Sequence, residues 1–204
     1  MTKLLTYNTQ TGCIVPSEFR GQKWSGDTDE GRTARSAWAR RFALGQGLMN
    51  PDDTPKTIAL QRTRTIKPMF MAGFWTVNET AKSVIEDLEP GRHQFLPIGL
   101  TNWRDEPIEG EDRYLLNVFY HQSSIIDDMT NAKVVRGYED TKEKMRLNYL
   151  VPKVTIDAEK LKPDVHLWRE ERYLMSLFMS DELYDRMVEI GVKLPTLQVE
   201  LVAN

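Results

Sequence analysis

An apolar stripe that recurs every three or four residues, set between runs that alternate every two, restricts this chain more than any other feature. Val77, Ala81, Val84, Ile85 and Leu88 fall on one helical face, the spacing that lets a helix bury one side and wet the other. Thr76 and Glu79 have the spacing of a capping box, in which each side chain satisfies an amide that the first turn leaves over. Pro90 and Gly91 supply a stop. Ser180 opens a second segment of this kind: Asp181 and Glu182 place negative charge in the first turn, Leu183, Met187 and Ile190 form the row to be buried, and Gly191 closes it. A further helix is predicted over Arg32 to Leu44, where Ala34, Trp38 and Phe42 share a face and Gly45 and Gly47 follow.

Around these helices the chain is rich in β-branched and aromatic runs. Lys3 to Tyr7, Thr57 to Arg62, Met69 to Trp75, His93 to Thr101, Arg113 to His121, Leu147 to Asp157, Leu174 to Met179 and Leu197 to Val202 read as strands. Pro97 and Pro152 interrupt two of them, which favours edges or bulges there. Few helices among many strands predict an α+β fold, a largely antiparallel sheet with two amphipathic helices packed on it. The stretches 74–100 and 178–201 share one order of aromatic strand end, hydroxyl cap, amphipathic helix, turn and alternating strand, which suggests two related β-helix-β units. Residues 1–56 give weaker signals, with Gly21 to Gly31 read as loop, and are taken as part of the same domain as 57–204.

The 27 basic and 30 acidic residues leave a formal charge of −3, which does not suit a chain built to grip phosphates, so no nucleic-acid partner is expected. Cys13 is the one cysteine, so no internal disulfide can form. The longest apolar stretches, such as Pro68 to Val77, fall short of the roughly 20 residues that span a bilayer. No membrane partner is expected, and a cytoplasmic location is.

Catalytic signatures are sparse. His93, His121 and His166 follow no metal-ligand spacing, and neither a nucleophile elbow nor a glycine-rich phosphate loop occurs. No catalytic residue, cofactor or metal is assigned, and the protein is read as a binder and not an enzyme. The arginines at 32, 35, 40 and 41 around Trp38 read as a solvated helix face. The segment TNWRDEPIEGED carries the proline and glycine of a loop together with many carboxylates. Trp103, Asp105, Glu106, Glu109, Glu111 and Asp112 are therefore the candidate partner contacts: an aromatic anchor beside an acidic loop that would attract a basic surface. The alternative is an enzyme whose site is dispersed over Arg113, His121 and Asp127 and which reverses damage done by another protein.

Two stretches carry a family resemblance. The first joins EPGRHQFLPIGL to RYLLNVFYHQSSIID, and the second runs from Asp164 to Leu201 through His166, Leu167, Trp168, Arg169, the run Phe178 to Asp181, and Gly191. Over about Thr57 to Val202 the chain resembles immunity-protein family 11 of bacterial polymorphic toxin systems. That resemblance implies a cytoplasmic inhibitor that binds a cognate toxin or secreted effector, delivered by a contact-dependent or type VI secretion route, and protects the producing cell.

Overall fold

The computed structural model describes residues 2–5, 17–20, 29–61, 66–110, 112–135, 144–147, 153–173, 177–192 and 196–203. In chain order its strands are β1 (Thr2–Leu5), β2 (Ser17–Arg20), β3 (Thr57–Leu60), β4 (Met69–Ala72), β5 (Phe74–Asn78), β6 (Gln94–Pro97), β7 (Gly99–Asn102), β8 (Arg113–Asn117), β9 (His121–Gln122), β10 (Ala132–Val135), β11 (Lys144–Leu147), β12 (Thr155–Asp157), β13 (Leu167–Glu170), β14 (Leu177–Ser180), β15 (Thr196–Gln198) and β16 (Glu200–Val202). Three α-helices accompany them: α1 (Asp29–Ala43), α2 (Glu79–Leu88) and α3 (Asp181–Glu189).

Two sheets form the scaffold, one ordered β4-β5-β8-β6 and one ordered β15-β1-β14-β13-β9. Strands β4 and β14 are buried on both faces, and the two-residue period of a strand sends neighbouring side chains to different cores. Along β4, Met69 and Met71 join a cluster with α2 and α3, while Phe70 and Ala72 join one with Trp38 and Phe42 of α1. Along β14, Leu177 and Met179 face the helices, while Phe178 stacks on Trp168 with ring centroids 5.7 Å apart in a third cluster. Burial on both faces explains why these strands read as unbroken apolar runs.

α2 and α3 pack against each other and cover both sheets through Ala81, Ile85, Leu183 and Met187. Their surroundings share one topology. β5 and β6, joined by α2, both run antiparallel to β8 between them. β14 and β15, joined through α3, both run antiparallel to β1. In each case the helix crosses over a strand that lies outside the strand-helix-strand segment itself. The rest of the frame is β2-β3-β7, in which β3 and β7 are parallel, and the pairs β10-β11 and β12-β16.

The fold is α+β, as the sequence predicts, with several corrections at the level of elements. The capping box does not form. Thr76 stays in the β5 ladder opposite Leu115, and Asn78 caps α2 instead, accepting from the Ala81 amide at 2.9 Å. Val77 accordingly points from a strand into the core that α2 covers. The run from Met69 to Trp75 is a hairpin and not one strand, because Gly73 adopts φ +74° and reverses it. The run from His93 to Thr101 divides at Ile98 between two sheets, with Pro97 on the edge strand β6, where a missing amide does no harm. β9 is separated from β8, and the Leu147 to Asp157 run yields only the end of β11 and β12, with 148–152 outside the described residues. α1 starts at Asp29, earlier than its apolar spacing indicates. The predicted scaffold of one sheet is divided into separate sheets.

Candidate partner-binding surface

The connection from β7 to β8 carries most of the residues singled out as partner contacts, and Asn102 organises it. The Asn102 side-chain oxygen accepts from the amides of Arg104 at 2.8 Å and Glu106 at 3.1 Å, and its amide nitrogen donates to the Glu106 carboxylate at 2.6 Å. An asparagine side chain used this way replaces the backbone of a tight turn. Asp105 completes the reversal at φ +61°, a conformation that Asp tolerates better than most side chains, and its carboxylate lies 3.7 Å from Arg20 of β2. The chain then doubles back along β7 through a Thr101–Pro107 bridge and the bond from Ile108 N to Leu100 O at 2.9 Å. Ile108 itself packs on the core beneath α1.

Trp103 stands at the tip of this fixed turn with 63% of its surface exposed, and the Arg104 guanidinium lies 4.7 Å from its ring centroid. A wide aromatic surface presented on a hydrogen-bonded turn is the kind of group that anchors a protein interface. The carboxylates around it fall into two sets. Asp105 and Glu106 are engaged with Arg20 and Asn102, whereas Glu109 and Asp112 are exposed and enter no hydrogen bond or ion pair among the described residues. Glu111 lies outside the described residues.

Glu109 and Asp112 border a cleft of about 580 Å³ whose apolar walls include Ile66, Ile98, Leu100 and Ile108. Lys56, Arg113 and Tyr114 also line it. Arg113 donates to the carbonyls of Lys67 at 2.8 Å and Pro68 at 3.4 Å, and Lys56 donates to Pro51 O at 3.2 Å. The Tyr114 hydroxyl is raised above the usual phenol range, first by its bond to Glu79 of α2, while the Lys82 ammonium lies 4.5 Å from the Tyr114 ring.

The remaining polar residues are dispersed and serve the fold. His121 faces the carbonyls of Leu44 at 2.9 Å and Phe119 at 3.1 Å, and Arg169 donates to Val118 O at 2.8 Å. Asp127 binds Arg172 and the Tyr173 hydroxyl. Arg113, His121 and Asp127 thus contact three different sets of residues. Buried Glu89 accepts from His93 at 2.8 Å and from the His166 amide at 2.9 Å. Burial pushes the Glu170 carboxyl up, even though it accepts from Ser124, Ile125 and Trp168.

The sequence did not indicate the pair of Ser180 and His166, whose Oγ and Nδ1 are 2.9 Å apart. Glu182 faces the same ring nitrogen at 4.0 Å, whereas a nucleophile relay needs its acid on the opposite nitrogen. Ser180 also accepts from the Leu183 amide and caps α3. No group of three or more metal-ligating side chains occurs among the described residues, and no described helix is long and apolar enough to cross a membrane.

The turn-forming asparagine was legible in TNWRDEP as an Asx signal, but its role was not drawn from it. The cleft was not legible, because Lys56, Ile66, Ile98 and Asp112 come together only through β3, β6 and β7.

No curated protein matches this sequence. A family model described as an immunity protein family, Imm11, matches residues 20–198 of the 204. The match begins in β2, well before the Thr57 at which the resemblance was placed, and contains the loop, the cleft and both helix crossovers. With most of its length matched from β2 to β15, the chain belongs to the Imm11 immunity protein family.

Proposed function

We propose that the protein neutralises a co-produced toxin or effector by stoichiometric binding in the cytoplasm of the producing cell, and that the β7–β8 loop is its contact surface. Family membership supports the immunity role. The observation that carries the surface is Trp103, 63% exposed on a turn that Asn102 holds from three directions. An inhibitor gains affinity when its contact groups are ordered before the encounter, since less side-chain entropy is lost on docking. The neighbouring carboxylates would raise the association rate with a basic toxin and make it sensitive to salt. Delivery of the effector by a contact-dependent or type VI secretion route fits the same reading.

The test is co-expression with the toxin encoded beside the gene, followed by titration of the purified pair. Trp103→Ala is expected to weaken the complex by about 2 kcal/mol, roughly 30-fold in Kd, with the melting temperature unchanged. A complex of unaltered affinity would remove Trp103 from the interface. Protection of the cell without any complex would end the binding reading.

A further inference from the structure

We propose, resting on the reading of the β7–β8 loop as the contact surface, that the bound toxin sets one aspartate or glutamate side chain against Arg104. The Arg104 guanidinium lies 4.7 Å from the Trp103 ring centroid, so a partner that covers the indole also takes water from the cation stacked on it. In the free protein the Arg104 side chain is exposed and enters no hydrogen bond or ion pair among the described residues. Asn102 holds the Arg104 amide at 2.8 Å, so the guanidinium projects from a fixed backbone.

The carboxylates of the loop do not serve this cation. Asp105 lies 3.7 Å from Arg20, the Glu106 carboxylate accepts from the Asn102 amide at 2.6 Å, and neither pairs with Arg104. Glu109 and Asp112, which follow the fold-back at Pro107, leave it unpaired as well. Arg20, Arg104, Asp105 and Glu106 balance in formal charge, so the long-range field of the turn favours neither sign. The occupant is selected at short range. A guanidinium withdrawn from water opposite an apolar or basic surface is an uncompensated charge, which weakens a complex strongly. Backbone carbonyls would accept from it and leave its charge in place. A carboxylate accepts from two of its N–H groups at once and cancels the charge. Steering of a basic toxin by Glu109 and Asp112 acts on the approach, whereas this pair acts in the docked complex, and a basic protein also carries acidic side chains.

The test uses the full-length protein and the toxin encoded beside its gene. Arg104→Gln is expected to raise Kd about tenfold and Arg104→Glu about a hundredfold, with Arg104→Lys between the parent and Arg104→Gln. Each exposed Asp and Glu of the toxin is then replaced by Arg. One such replacement is expected to return about tenfold of the affinity lost in Arg104→Glu while weakening the complex with the parent protein. Parent affinity in Arg104→Glu overturns the acidic contact. So does a loss in the Arg104 variants that no toxin replacement restores, since a guanidinium that only holds the indole in place would give that result. If Trp103→Ala weakens the complex and the Arg104 variants do not, the acidic contact is discarded and the contact surface stands. If none of these variants weakens it, the contact surface itself falls and the acidic contact falls with it.

Discussion

Asn117 donates to the Gln94 side chain at 3.1 Å across the register pair that joins β8 to β6, and the two amides together hold the chain that leaves α1. Gln94 exchanges two further hydrogen bonds with the Met49 backbone, at 2.8 and 2.7 Å, and Asn117 donates to Gly47 O at 3.0 Å. A side-chain pair on one sheet thus substitutes for a strand that the segment after α1 does not form. Asn117→Ala removes the donor to Gly47 O and one of the two donors to Gln94 Oε1, and is expected to cost about 1 kcal/mol, read as a lower denaturation midpoint in urea.

Glu89 collects His93 and the His166 amide, with Arg92 at 3.6 Å, in a site where its own side chain is fully covered. Removing one member of a buried charged set costs more than the set contributes, because its partners remain desolvated. Glu89→Ala should destabilise by about 3–5 kcal/mol, visible as a lower melting temperature.

Asn102 gives a prediction of a different kind, since its bonds order an exposed turn. Asn102→Ala should leave the melting temperature within a few degrees of the parent while weakening the toxin complex, chiefly by making dissociation faster. A stopped-flow or surface-binding measurement of the two rate constants checks this. A variant that binds normally would show that the turn's order contributes nothing to docking.

Burial holds the His121 imidazole below its ordinary range, outweighing the pull of the Leu44 and Phe119 carbonyls. The unfolded chain therefore binds this proton more readily than the folded one. The ring's contribution to stability is full above the unfolded value of about 6.5 and is lost as pH falls through the lower folded value. The difference in melting temperature between about pH 7.5 and about pH 5 should shrink in His121→Asn relative to the parent. An unchanged difference would place the acid sensitivity elsewhere.

The helices and core strands were legible because their signals are local. Leu183 and Met187 lie on the buried face of α3, and Ser180 caps it, all as spacing indicates. The spacing locates α2 but starts it at Val77 and not at Glu79, because Thr76 satisfies a hydroxyl-cap pattern while its backbone belongs to a sheet ladder. Asn78 has the same capping chemistry, and only the pairing with Arg113 shows that the strand ends there. Leu167 to Glu170 escaped notice as a strand because its four residues include a buried Arg169 and Glu170, whose partners, Val118 and Ser124, lie far away in sequence. Trp103 and its acidic neighbours could be nominated from composition. Which carboxylates stay free could not, since that depends on Arg20 in β2 and on the fold-back at Pro107.

Reading residues 1–56 as part of the same domain as the remainder gives a further expectation. Deleting them removes β1 and α1, and with them Trp38 and Phe42 from the core beneath the β4-β5-β8-β6 sheet. The truncated chain is expected to lose its cooperative thermal transition, monitored by circular dichroism. A sharp transition in the fragment would make the first 56 residues a separate unit.

β1 sits between β14 and β15, so Leu4 waits for Phe178 on one side and Leu197 on the other. Until the segment that carries β14 and β15 has been synthesised, β1 has neither neighbour and both of its edges stay open. That separation makes closure of this sheet a late step in synthesis and gives chaperones a defined interval in which to act.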